Sequence, residues 1–195
     1  KPALKVRAGD IVSISQTMTG DTPQYDEINL LYENDDFWCF DKPAGMAVHP
    51  TANIYHNTVT RYVETQLNAQ PFVVHRLDKD TSGLVIIALS ERARLRLIED
   101  FAARNVHKTY LAVTRGIPAA EGTSDLPIGR HPTIKTRMAI VPEEKGGRTA
   151  LTAWETLYAS PTANFALLSV RLFTGRTHQI RVHLAQAGFP LWGDT

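Results

Sequence analysis

Between Val74 and Leu84 the chain reads Val-His-Arg-Leu-Asp-Lys-Asp-Thr-Ser-Gly-Leu, and its chemistry concentrates there. Two carboxylates (Asp78, Asp80), two cations (Arg76, Lys79) and the His75 imidazole crowd into a turn leading to the apolar run Leu84–Leu89. Entry to a buried strand does not call for such charge, and desolvating it without partners is costly. Loops carried by a rigid sheet are common seats of reactive groups, and a carboxylate placed there can act as a nucleophile. By residue type alone, Asp78, Asp80, Thr81 and Ser82 also make an ordinary turn with Gly83, so both readings stand at this point.

Other chemistries are harder to support. His178 and His183 are five residues apart, which on a helix points them roughly 140° apart at about 100° per residue, and on a strand to opposite sides. Neither arrangement chelates, and no third ligand accompanies Asp78 and Asp80 at a suggestive spacing, so no metal is expected. Gly146-Gly147-Arg148-Thr149 lacks the lysine and spacing of a phosphate-binding P-loop. The single cysteine, Cys39, lies between aromatics and reads as a structural thiol in a reducing, cytoplasmic setting.

The elements that position these residues can be read from periodicity. Residues 4–15 suggest a turn and a short strand over 11–15, and the polar stretch 16–27 a linker, with the main domain from Ile28. Phe37–Asp41 reads as a strand closed by Lys42-Pro43-Ala44-Gly45. Val59, Tyr62, Val63 and Leu67 repeat at helical spacing, with Asn57 as N-cap and Pro71 as terminator. Leu84–Leu89 reads as a buried strand. Ser90 caps a helix whose Leu97, Ile98, Phe101 and Ala102 form one apolar face. Strands follow at Thr109–Thr114, Arg137–Val141, Leu151–Tyr158 and Phe165–Phe173, then a helix capped by Thr177 with Ile180, Leu184 and Ala187 facing the core, ended by Gly188 and Pro190. Strands in succession without intervening helices predict an α+β fold with a mixed, mostly antiparallel sheet and flanking helices and loops.

Composition bounds the function. The chain has 195 residues, 43% hydrophobic and 21% charged, values of a globular protein with a real core. No apolar stretch approaches the ~20 residues of a membrane-spanning helix. The net charge of +1 does not announce nucleic-acid binding by itself, so that case rests on where the charges lie.

Five ordered segments carry a resemblance. His75-Arg76-Leu77-Asp78 followed by Lys79-Asp80-Thr81-Ser82-Gly83 is similar to the central motif of the RluA-type pseudouridine synthases. Asp41–Pro50 resembles the family's lysine–proline segment, Lys108-Thr109-Tyr110-Leu111-Ala112 its lysine–tyrosine strand, and Thr174–Leu184 its final motif. Pro127–Pro132, leading to Arg137-Met138-Ala139, resembles a basic loop of the large-ribosomal-RNA members. Residues 1–15 resemble the tail of an S4-type RNA-binding domain. On this reading, 16–27 is a linker and 28–195 a pseudouridine synthase catalytic domain lacking its C-terminal end.

The resemblance implies isomerisation of uridine to its C5-linked isomer, without metal or cofactor, by one aspartate that attacks ribose C1′ or uracil C6. Asp78 is the matching position. Arg181 is implied as its ion-pair partner, Tyr110 as a stacking surface for the flipped uracil beside Lys108, and Arg76 as the group that fills the vacated place in the RNA. Strand alternation puts Lys108, Tyr110 and Ala112 on one face. Arg130, His131, Arg137 and Arg176, with Lys135, Lys145 and Arg148, make a phosphate footprint. The expected partner is RNA, large-subunit ribosomal RNA ahead of transfer RNA, with no membrane and a monomeric state. Two competing readings are a non-catalytic RNA-binding or chaperone module, and a glycosidase-like hydrolase using Asp78 and Asp80, which lie adjacent instead of facing across a cleft.

Overall fold

The computed structural model describes residues 7–11, 20–51 and 53–194. The chain divides into two compact units, residues 1–94 and 95–195. The strand expected over 11–15 lies outside the described residues apart from Ile11.

In the first unit, β1 (Asn29–Glu33), β2 (Phe37–Lys42), β3 (Phe72–Val73) and β4 (Gly83–Ala88) form an antiparallel sheet in the order β1-β2-β4-β3. Alternation on β2 and β4 turns Phe40, Val85 and Ile87 inward, each wholly buried, each such side chain contributing about 1.5–3 kcal/mol. The run beginning at Leu84 is therefore half buried instead of buried throughout, and Leu84 itself is exposed on the other face.

Helix α1 (Val59–Gln66) adds Val59 and Val63 to the buried set, and Tyr62 meets the Phe40 ring edge-on at 6.0 Å. Its N-cap is Thr58, whose hydroxyl accepts from the Arg61 amide at 3.2 Å, not Asn57. Asn57 is occupied elsewhere: its side-chain oxygen accepts from the Gln24 amide. The helix also stops before Pro71 is reached, with Leu67 as C-cap and Asn68 in the left-handed region at φ 50°. The part of the expected linker that is described is anchored. The Asp21 carboxylate accepts from the amides of Tyr55, His56 and Asn57 at 3.0, 2.9 and 2.7 Å. Burial works against its ionisation, but these donors prevail and hold its pKa at about 2.

Helix α2 (Glu91–Ala102) starts as the sequence suggests, with the Ala93 amide donating to Ser90 Oγ at 3.2 Å. The second unit then carries β5 (Lys108–Arg115), β6 (Glu121–Ser124), the hairpin β7 (Ile128–Arg130) and β8 (Met138–Ile140), β9 (Thr152–Ser160), β10 (Phe165–Leu172) and α3 (Gln179–Gln186). Its main sheet is antiparallel, ordered β5-β10-β9-β6. The wholly buried Ala166, Leu168 and Val170 of the central strand β10 pack with Ala112 and Leu184, and Tyr110, Trp154 and Ile180 close over them.

Helix α3 departs from expectation at both ends. Its N-cap is His178 in the left-handed conformation, φ 56°, and not Thr177. Ala187 is exposed, and the inward position is taken by His183, which is wholly buried. Among the described residues, no helix is long and apolar enough to cross a membrane.

Candidate active site

Asp78 sits in a turn closed by the Thr81 amide donating to the Asp78 carbonyl at 3.1 Å, and its side chain is half buried. The next residue fixes the turn from below. The Lys79 carbonyl accepts from the Gly45 amide at 2.9 Å and from Lys42 Nζ at 3.1 Å. Lys42 Nζ also donates to the carbonyls of Pro43 and Met46, both at 2.8 Å, so one ammonium ties the turn after β2 to the Asp78 turn. Gly45 at φ +86° and Gly83 at φ +115° supply the backbone these two turns need, where a side chain would be strained.

Lys42 is wholly buried, and this desolvation lowers its pKa to about 8 against the pull of the Asp80 and Asp78 carboxylates. The sequence placed this residue in a turn and in the segment resembling the family's lysine–proline motif, without assigning it a role. A signal was available, since residues 40 and 42 share one face of β2 and Phe40 points inward.

Around the same turn, the Ile86 amide donates to His75 Nε2 at 3.0 Å, which puts the ring proton of a neutral His75 on Nδ1. A cavity of about 130 Å³ is lined by Ala47, His49, Arg76, Leu77 and Lys79. Burial, and then the Arg76 charge, lower the His49 pKa, both disfavouring its charged form. Arg76 and Lys79 are exposed and bring positive charge to the cavity.

The remaining candidates belong to the second unit. Lys108, Tyr110 and Ala112 do share a face of β5: Ala112 is buried and Tyr110 half buried, while Leu111 and Val113 are exposed on the other side. Arg181 on α3 holds Asp194 bidentately, with Nε at 3.0 and 2.9 Å from the two carboxylate oxygens. Arg130, His131 and Arg137 come together at the β7–β8 hairpin. The Arg130 guanidinium donates to the Lys135 carbonyl at 3.0 Å, the His131 amide to the Arg137 carbonyl at 2.9 Å, and His131 Nδ1 accepts from the Ile134 amide at 3.1 Å. Among the described residues, no group of three His, Cys, Asp or Glu side chains is placed to hold a metal.

Gln179 is a second residue that sequence reasoning passed over. It is buried, and its Oε1 accepts from Thr174 Oγ1 at 2.8 Å and the Arg176 amide at 2.9 Å. Its Nε2 donates to the Leu151 carbonyl at 3.0 Å and Thr152 Oγ1 at 2.9 Å, so the loop 174–178 hangs on one fully used amide. Gln179→Leu would strand several buried groups and is expected to cost about 3 kcal/mol. For a chain of this size, that is a fall of roughly 6–12 °C in Tm, read by thermal denaturation.

The network continues through Thr152 Oγ1 to His183 Nδ1 at 2.9 Å, and His183 Nε2 donates to the Leu126 carbonyl at 2.9 Å. Burial lowers the His183 pKa from its ordinary 6.5, although the Leu126 carbonyl and the Asp125 charge oppose the shift. The unfolded chain therefore takes up a proton first as pH falls through about 6.5, and stability is lost on the acid side. Tm is expected to drop between pH 7 and 5, and more shallowly in His183→Gln.

Two antiparallel β-sheet units, one carrying a lysine-anchored aspartate turn and the other a basic hairpin and strand, define an α+β protein without a P-loop or a metal cluster among the described residues. The family profile for RNA pseudouridylate synthase matches residues 36–186. The chain is 41% identical over its whole length to ribosomal large subunit pseudouridine synthase D of Xanthomonas campestris, spanning 60% of that relative. It is also 41% identical to the Nitrosomonas europaea protein of the same name, with 97% of the chain and 56% of the relative covered. Human RNA pseudouridylate synthase domain containing 1 superimposes with a TM-score of 0.74 at 27% identity, over 90% of this chain and 71% of that one. The chain belongs to the RNA pseudouridylate synthase family. It spans less than two thirds of the Xanthomonas and Nitrosomonas relatives.

Proposed function

We propose that this protein isomerises specific uridines of large-subunit ribosomal RNA to pseudouridine, with Asp78 as nucleophile. The observation that carries the reading is the Asp78 turn itself, a half-buried carboxylate in the family's central motif, its backbone held by Gly45 and a buried ammonium. The name shared by the Xanthomonas and Nitrosomonas relatives supports the choice of RNA.

The reaction neither adds nor removes atoms. The Asp78 carboxylate attacks C1′ or C6 of an extruded uridine, the N1–C1′ bond breaks, the base turns, a C5–C1′ bond forms, and the bond between Asp78 and the substrate breaks to free the carboxylate. The C5 proton leaves and N1 gains one. Extrusion has an unstacking cost, which Arg76 offsets by occupying the vacated place. Tyr110 stacks on the uracil, and Arg181 and Lys108 are assigned to substrate binding. Arg130, His131 and Arg137 contact backbone phosphates, adding affinity and salt dependence but little sequence information.

The test uses the full-length gene. Pseudouridines are mapped across ribosomal and transfer RNA from cells lacking it, then from cells complemented with the native protein or Asp78→Asn. Large-subunit sites restored by the native protein alone are the expected result. Restoration confined to transfer RNA would move the substrate, and no restored site in either class would sink the proposal.

A further inference from the structure

Three cations in the second unit converge on one loop junction, and among the described residues no carboxylate pairs with them. Among the described residues Lys108 Nζ donates to the Thr174 carbonyl alone, at a long 3.3 Å, leaving two of its three donors for another acceptor. Two residues further on, Arg176 Nε donates to the Thr149 carbonyl at 2.9 Å, with the rest of its guanidinium fork unassigned. Thr149 follows Arg148, whose backbone is bridged to Ile128 at 3.0 and 2.9 Å, so the hydrogen bond to Thr149 brings Arg176 to the backbone next to Arg148.

Lys108 and Arg176 are half buried and Arg148 exposed. Among the described residues, no ion pair is formed by any of the three. The carboxylate Glu143 is engaged with the Thr149 hydroxyl at 2.8 Å. Between Lys108 and Arg176 the chain has Gly175, exposed and without a side chain, and a Cβ there would stand 3.5 Å from Lys108 Nζ. The space in front of that ammonium is thus open to an oxygen at hydrogen-bond distance.

We propose that Lys108, Arg148 and Arg176 form a seat for one RNA backbone phosphate, open over Gly175, that holds the strand on the Tyr110 face of β5. The inference rests on the reading of this protein as an RNA-modifying enzyme, and deepens it by naming a phosphodiester subsite.

The electrostatics agree with the geometry. Burial first, and then the Arg176 charge, lower the Lys108 pKa, and burial followed by Arg148 lowers that of Arg176. Like charges gathered and partly desolvated without a counter-charge are unfavourable in the free protein, and an anion with several oxygens relieves both terms at once. Lys108 and Tyr110 lie two residues apart on one strand face, about 6.7 Å, which suits a phosphate held beside a stacked base.

The experiment measures the affinity of the full-length protein for protein-free large-subunit ribosomal RNA from the deletion strain, over 50–300 mM KCl. Pseudouridine formation by the native protein is scored in the same preparations. Lys108→Gln, Arg148→Gln and Arg176→Gln are each expected to weaken binding about tenfold at 150 mM salt. Each should also lower the slope of log K against log[KCl] by about 0.7–0.9. Arg176→Lys is expected to keep the slope, and Arg96→Gln, an exposed helix cation, to change neither quantity. Arg148 is exposed, so its replacement tests the seat without putting folding at stake. Unaltered slopes in all three charge-removing variants of an active enzyme would overturn the seat alone. Absence of pseudouridine formation by the native protein would instead overturn the functional reading.

Discussion

Asp78→Asn is expected to abolish pseudouridine formation while leaving RNA binding intact. Asparagine has the same shape, and the contact that closes the turn uses the Asp78 carbonyl, which the substitution keeps. What is lost is the nucleophile, since a neutral amide does not form the covalent bond to C1′ or C6. Removing one member of a chemical constellation commonly lowers the rate by more than about 10⁴-fold. That corresponds to about 5.4 kcal/mol of transition-state stabilisation. RNA affinity should be unchanged or slightly higher, because a negative charge facing a polyanion is gone. Single-turnover pseudouridine assays beside filter binding separate the outcomes. Equal loss of both would favour a binding module in which Asp78 serves only structure.

The second large effect is expected at Lys42, a residue with no contact to the reacting atoms assigned to it. Lys42→Met removes the ammonium that joins the carbonyls of Pro43, Met46 and Lys79. It also removes a buried charge, so the lost hydrogen bonds and the relieved desolvation oppose each other, leaving a net cost of about 1–3 kcal/mol. The Lys79 carbonyl keeps its Gly45 donor, and the turn persists with looser placement. Because misplacing a reacting group by about 1 Å commonly costs about 10²-fold, kcat should fall by that order while the protein stays folded.

The pH profile distinguishes a positioning role from a merely structural one. With its pKa at about 8, folded Lys42 loses its proton, and with it one donor, as pH rises through that value, and activity should decline there. Stability should not decline with it. An unfolded lysine still holds its proton up to about 10.5, so between about 8 and 10.5 the contribution of this group to stability rises with pH. An alkaline loss of kcat without an alkaline loss of Tm is the expected signature. Asp80→Asn should move it to lower pH, since Asp80 is the stronger of the two carboxylates that keep Lys42 charged. A flat native profile, or Lys42→Met within twofold of native kcat, would refute the clamp.

Much of this protein was legible in its residues. Alternation on Lys108–Arg115 and Phe165–Leu172 determined which faces are buried, because side chains on a strand repeat every two residues whatever the sheet does. Ser90 marked the start of α2 because an N-cap hydroxyl acts within one turn of its own helix. The charged turn at Asp78 stood out because desolvating that much charge before an apolar strand is costly, although the same residues also make an ordinary turn, and the resemblance was needed to assign it chemistry.

Other features depended on partners distant in sequence. Asn57 and Thr177 are as good caps by type as Thr58, but Gln24 engages Asn57, and α3 begins from a left-handed His178 with no side-chain cap. His183 displaced Ala187 from the core because Thr152 and Leu126 satisfy both ring nitrogens, which no spacing rule reveals. The burial of Lys42 and Gln179 was decided in the same way. A polar group enters the interior only where carbonyls and hydroxyls from several segments converge on it, and that convergence exists only in the folded chain. The sequence by itself determined the strand faces, a local property, and its motifs made Asp78 the candidate nucleophile through the family resemblance. Tertiary structure alone decided what holds the Asp78 turn in place, because hydrogen bonds between segments as far apart as residues 42 and 79 are not written in either segment.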